Sequence, residues 1–158
     1  MAKSLDLPNS LIEEDYIDLG LFSDFELTRD ICIQTDFLFT PGKSECGLIE
    51  LRADGLLIIR KGFRWKASGP VINDTETRRA SLVHDALYLL KHAEVLCFEL
   101  RDEVDQLLRQ HMIEDGCSET RADLWYTGVK EFGLMYWDTE VYDAQVVEWQ
   151  QELRDWND

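Results

Sequence analysis

Residues 76–92 read "ETRRASLVHDALYLLKH". Val83, Ala86, Leu87 and Leu90 recur at i, i+3, i+4 and i+7, the spacing of one apolar stripe, and predict a helix over about residues 76–92. His84 and Asp85 flank that stripe, and Tyr88, four residues after His84, shares its face. The stretch decides the fold because the hydrophobic period changes at it. Upstream the period is two. "ICIQTDFLF" alternates Ile31, Ile33, Thr35, Phe37 and Phe39 against mostly polar positions, as a strand with one buried face does. "GLIELRADGLLIIRKGFRW", residues 47–65, reads as a hairpin because Asp54-Gly55 is a favoured turn pair between two β-rich runs.

Downstream the helical period persists. A second helix is expected over about residues 99–114, with Leu100, Val104, Leu107, Leu108 and His111 inward and Asp115-Gly116 as its stop. Ser118 can cap a third, in which Ala122, Trp125, Tyr126, Val129 and Phe132 repeat the spacing and Gly133 can end it. A fourth, amphipathic and acidic, can run through "TEVYDAQVVEWQQELRDWND" on Val141, Ala144, Val147 and Trp149 or Leu153. The expectation is an α+β fold: a small antiparallel sheet of three to four strands packed with three to four helices in a single domain. Its parts are an acidic N-terminal segment, 1–28, an α+β core, 29–133, and an acidic, Trp-containing C-terminal helix or tail, 134–158.

Charge narrows the function. The 158 residues carry 16 Lys and Arg against 32 Asp and Glu, a net charge of −16, so direct binding to a phosphate backbone is disfavoured by repulsion. Residues 1–36 hold 9 acids and 2 bases, and residues 134–158 hold 7 and 1, which concentrates the acid in the flanks. Such flanks either solubilise a nearly neutral domain or dock a basic partner. No run approaches the roughly 20 apolar residues of a membrane span. The N-terminal residues lack the basic-then-apolar order of a signal peptide, so an intracellular location is expected. Cys32, Cys46, Cys97 and Cys117 form no CxxC pair, and free thiols are expected.

Four stretches carry a resemblance: Gly62-Phe63, Ala67-Ser68-Gly69-Pro70, His84-Asp85-Ala86-Leu87-Tyr88, and Arg101 with Val104-Asp105. Their order is similar to that of a family of short phage and prophage proteins of unknown function, over roughly residues 60–133. Trp65 and Lys66 stand where that family has an acid and a glycine, so one recurrent carboxylate is displaced. The resemblance implies phage origin, and with it the host cytoplasm or the virion as the expected location, and supplies no reaction.

The chemistry of these residues allows two readings. If Asp105 and Arg101 face the groove beside His84, one imidazole, two carboxylates, a guanidinium and the Tyr88 phenol converge. His84, Asp85 and Asp105 are then the catalytic candidates of a small His/Asp-dependent or metal-dependent hydrolase, with His84 and Asp85 the ligands of any divalent metal. Alternatively the same residues hold the domain together, hydrogen-bonded to a facing loop that includes Ser68 and Asp74. The protein would then be an accessory factor without a cofactor. It would bind a host or phage protein of basic surface, as a virion component or an inhibitor of a host factor or defence system. Ser68, Asp74, Tyr88 and Arg101 are binding candidates in the core, and Trp137, Trp149 and Trp156, set among carboxylates, are candidate anchors. Ser68 lies in no nucleophile elbow, and the glycines form no phosphate loop.

Overall fold

A computed structural model describes residues 11–19, 24–36, 42–43, 47–66, 75–92 and 98–138. The expected hairpin is present: β5 (Ile49–Leu51) and β6 (Leu56–Ile59) pair antiparallel, with Leu51 opposite Leu57. Its loop is one residue longer than a two-residue turn. Gly55 N–H donates to the Arg52 carbonyl at 2.9 Å, Arg52 N–H donates to the Leu56 carbonyl at 2.9 Å, and Gly55 takes φ +86°. A type I turn followed by a left-handed residue has this form. Asp54 adds a side-chain acceptor for Leu56 N–H at 3.1 Å.

β3 (Ile31–Gln34) pairs with the other edge of β6, and the two-residue β4 (Gly42–Lys43) pairs with β5, giving the antiparallel order β3-β6-β5-β4. Ile31, Cys32 and Ile33 are all buried, so both faces of β3 are covered there and the alternation read from its sequence does not mark a solvent face. Phe37 and Phe39 lie outside the described residues.

A second sheet was not foreseen. β1 (Tyr16–Asp18), β2 (Asp24–Leu27) and β7 (Arg64–Lys66) form an antiparallel sheet in the order β1-β2-β7. The boundary expected at residue 28 therefore does not separate a flank from the core, because Phe25 and Leu27 are buried in the main hydrophobic cluster. Tyr16, Phe25 and Trp65 pack edge-to-face or tilted, with ring centroids 5.4–5.8 Å apart. Asp15 anchors the segment at its corner. Its carboxylate, buried, accepts from Ile12 N–H at 2.9 Å and from Arg29 at 3.0 Å, while Thr28 N–H donates to its carbonyl at 2.8 Å. Burial alone would raise the Asp15 carboxyl; the Arg29 and Ile12 donors outweigh it and hold it below its ordinary value.

Among the described residues three helices complete this single α+β domain, and the acidic fourth helix expected beyond them lies outside the described residues. α1 (Arg78–His92) follows a 3-10 turn at Thr75–Thr77 and is buried on almost every side, with Ala80 to Val83 and Ala86 to Leu90 all inaccessible. One apolar stripe was expected; the helix instead has β7 on one side and α2 on another. The Trp65 Nε1–H donates to Ser81 Oγ at 3.1 Å and ties α1 to the first sheet.

α2 (Arg101–Glu114) and α3 (Glu119–Asp138) form an antiparallel pair. At the end of α2, Cys117 N–H reaches the Met112 carbonyl at 2.9 Å and Gly116 N–H reaches that of Ile113 at 3.1 Å, with Gly116 at φ +99°. These two bonds make a Schellman stop. Ser118 Oγ accepts from Arg121 N–H at 3.2 Å and caps α3 as expected. Gly133 does not end α3, which continues to Asp138. None of the helices among the described residues is long and apolar enough to cross a membrane.

Gly116→Ala places a Cβ where the nearest atom is Glu76 Oε1 at 3.7 Å, so space is available and only the left-handed backbone opposes it. Urea unfolding of this variant is expected to show a loss of about 1–2 kcal/mol with an unchanged m-value.

Candidate functional site

The polar set read from the sequence converges between α1 and α2. His84 and Tyr88, one turn apart on α1, stack with ring centroids 4.2 Å apart. Both reach one oxygen of Asp105 on α2: His84 Nε2 lies 2.7 Å and the Tyr88 hydroxyl 2.8 Å from Oδ1. Arg101, one turn before Asp105, places Nε 3.8 Å from Oδ2. Its terminal nitrogen donates to the carbonyls of Val129, at 3.0 Å, and Lys130, so the same guanidinium holds α3. Asp105 is 1% exposed. A carboxylate so placed is tolerable only with donors or positive charge around it; it has two donors, and the Arg101 guanidinium adds its charge without a hydrogen bond.

The geometry sets the hydrogens. With Asp105 accepting, Tyr88 donates its O–H and His84 carries its hydrogen on Nε2. Burial, with the Asp105 charge adding, raises the Tyr88 phenol far above its ordinary value, so the hydroxyl keeps its proton and remains a donor. His84 Nδ1 is 4.0 Å from Asp85 Oδ1, too far for a hydrogen bond. Asp85 thus stands beside the imidazole without orienting it. The neighbouring carboxylate in sequence is the peripheral one, and the carboxylate 21 positions away is the direct partner.

The expected partners of His84 in the loop, Ser68 and Asp74, lie outside the described residues, as do Trp149 and Trp156. Trp137 falls in the last turn of α3, and its side chain is outside the described residues. Of the cysteines, Cys32 and Cys117 are buried free thiols, and Cys46 and Cys97 are not described. Among the described residues, no group of three or more His, Cys, Asp or Glu side chains is placed to hold a metal ion.

A second buried polar cluster escaped the sequence reading. Arg79, 4% exposed on α1, donates to Glu114 at 2.8 Å and to Asp115 at 3.0 Å, and lies 3.5 Å from the His111 carbonyl. A guanidinium at the carbonyl end of α2 satisfies groups the helix cannot pair itself and complements its dipole. Nearby, Arg121 on α3 pairs with Glu76 at 3.1 Å. His111 is buried beside this cluster, and its Nδ1 has no hydrogen-bond partner. Burial, aided by the Arg79 charge and opposed by Glu114, pushes the imidazole from 6.5 down to about 4. Nothing in the spacing of Arg79 signals a partner 35 residues away.

The chain matches no known protein-family model, and no curated protein or solved structure is similar to it.

Removing Asp105 leaves a buried phenol and an imidazole N–H without their acceptor and the Arg101 guanidinium without its ion-pair partner. Asp105→Ala is expected to cost about 3–5 kcal/mol in chemical denaturation, whereas Tyr88→Phe, which deletes one donor, costs about 1 kcal/mol. Equal, near-zero losses would show that the set does not hold α1 to α2. For His111 the sign is fixed by its lowered value. The unfolded chain takes up a proton below about 6.5 that the folded chain refuses until about 4, so stability falls as pH drops through that window. The loss should total about 3 kcal/mol. His111→Leu is expected to flatten the stability profile between those two values, and an unchanged profile would remove His111 as the cause.

Proposed function

We propose that this is a phage-encoded accessory protein that acts by binding a basic surface on another protein, as a virion component or as an inhibitor of a host factor or defence system. The observation that carries this reading is how the chain uses its positive charge. Arg29, Arg60, Arg64, Arg79, Arg101, Arg109 and Arg121 each pair with carboxylates of the same chain. Paired charges cancel at a distance, so the excess of acid behind the net −16 is what a partner meets. On α2 and α3 the exposed carboxylates include Asp102, Glu103, Glu119 and Glu131. Electrostatic attraction of this kind selects partners and speeds encounter more than it adds affinity.

The polar set between α1 and α2 supports the same reading from the opposite side. Oδ1 of Asp105 accepts two hydrogen bonds from the chain itself, Oδ2 lies 3.8 Å from the Arg101 guanidinium, and the carboxylate is sealed from solvent. It orients His84 and is itself oriented, as a structural tie requires. A hydrolase centred on His84 would need a substrate or water at Nδ1. Asp85, 4.0 Å away, is the described charged group beside that nitrogen.

Affinity-tagged full-length chain incubated with lysate of phage-infected bacteria is expected to retain a protein of basic isoelectric point. Retention should fall steeply with added salt, and should be weakened when the carboxylates of residues 134–158 are replaced by amides. Retention of acidic or neutral proteins only, insensitive to salt, would overturn the reading.

A further inference from the structure

Gln106, Arg109, Gln110 and Ile113 of α2 face Asp123 and Tyr126 of α3 across a groove of about 540 Å³, which Glu114 also lines. The groove is open to solvent: the Arg109, Glu114 and Asp123 side chains are 35%, 45% and 58% exposed. Its donors are turned on the chain's own carboxylates. Gln106 donates to Asp102 at 2.7 Å and Gln110 to Glu114 at 2.9 Å, while the Tyr126 hydroxyl donates to Asp102 and Arg109 Nε to Asp123. A carboxylate can only accept, so each glutamine turns its amide nitrogen toward it and its carbonyl oxygen away. Those two oxygens and Asp123 Oδ2 receive no hydrogen bond from another described residue. Arg109 adds terminal N–H groups, but Asp123 and the nearby Glu119 balance its charge. In and beside the groove, Asp102, Glu114, Asp115, Glu119 and Asp123 stand against Arg79, Arg109 and Lys130, so acid is in excess.

We infer that the groove between α2 and α3 receives an arginine-bearing helix of the partner protein. This rests on the acidic-docking reading above and names its surface. A pair of antiparallel helices offers a third helix a groove to lie in, and the stretch from Gln106 to Glu114 is about 12 Å long at 1.5 Å per residue, two turns of such a helix. An arginine suits the lining better than a lysine. Its stem covers Ile113 and the Tyr126 ring, and its planar fork donates to several acceptors at once, here Asp123 Oδ2 and the glutamine oxygens. Charge selects this occupant over two others. A second copy of the chain would bring the same acidic helix pair and be repelled. An acidic segment would meet the surrounding carboxylates, with only Arg109, already balanced, to draw it in.

The test uses the isotopically labelled full chain at physiological salt and three synthetic helical peptides. They differ at two positions one turn apart, which hold arginine, its neutral isostere citrulline, or glutamate. The arginine peptide is expected to bind and to shift the amide signals of residues 106–114 and 119–126, the citrulline peptide to bind about tenfold more weakly, and the glutamate peptide not to bind. The double variant Gln106→Lys, Gln110→Lys sets two positive charges in the groove at exposed positions that a helix tolerates, and should weaken the arginine peptide about tenfold. Asp36→Lys, exposed beyond β3, changes the net charge by the same amount and should weaken it less than about twofold, because salt screens distant charge. The amide spectrum of each variant reports whether the fold is kept. Equal binding of the arginine and citrulline peptides overturns the inference. A preference for glutamate makes Arg109 the recognising group and also overturns it. If the shifts fall outside residues 106–126, or the two charge-matched variants weaken binding equally, the groove assignment fails and the acidic-docking reading stands. Absence of binding by the arginine peptide overturns the groove assignment, and salt-sensitive retention of a basic protein decides the broader reading separately.

Discussion

The structure depends on burying one helix on nearly all sides. α1 carries Leu82, Val83, Ala86, Leu87, Leu89 and Leu90 into the core from different directions around its axis. Its polar side chains then have few places to go. Ser81 accepts from Trp65 of the first sheet, His84 and Tyr88 take Asp105 of α2, and Arg79 takes the end of α2. These polar groups of α1 are thereby attachments to the first sheet and to α2, and each attachment is directional where hydrophobic contact is not. The two ties to α2 lie at opposite ends of the interface, Arg79 at the carbonyl end of α2 and Asp105 near its start. Together they fix the antiparallel register of the pair.

That constraint explains why a set of residues resembling a catalytic group serves as a joint. A general base needs an acceptor nitrogen that a substrate can reach and a carboxylate whose charge is spent on the imidazole. Asp105 divides its charge among His84, Tyr88 and Arg101, and Arg101 in turn spends its terminal nitrogen on α3. The group links three helices through one carboxylate.

How far the sequence reveals this differs by element. α2 and α3 follow from the apolar spacing and from Gly116 and Ser118, because helix ends are encoded locally. The meeting of His84, Tyr88 and Asp105 was legible too, since i, i+4 spacing places His84 with Tyr88 and Arg101 with Asp105 on matching faces. β1 and β2 were hidden. In "DYIDL" and "DFEL" the acids lower the hydrophobic signal, and strands of three and four residues are too short for alternation to stand out. Arg79 was hidden for another reason: periodicity marks which face a residue takes but not which distant carboxylate waits there.

Charge and core are arranged by the same economy. Buried arginines must be paired, and this chain pairs them with its own acids, so burial removes positive and negative charge together and leaves the excess acid outside. The exposed excess costs self-repulsion in the free protein.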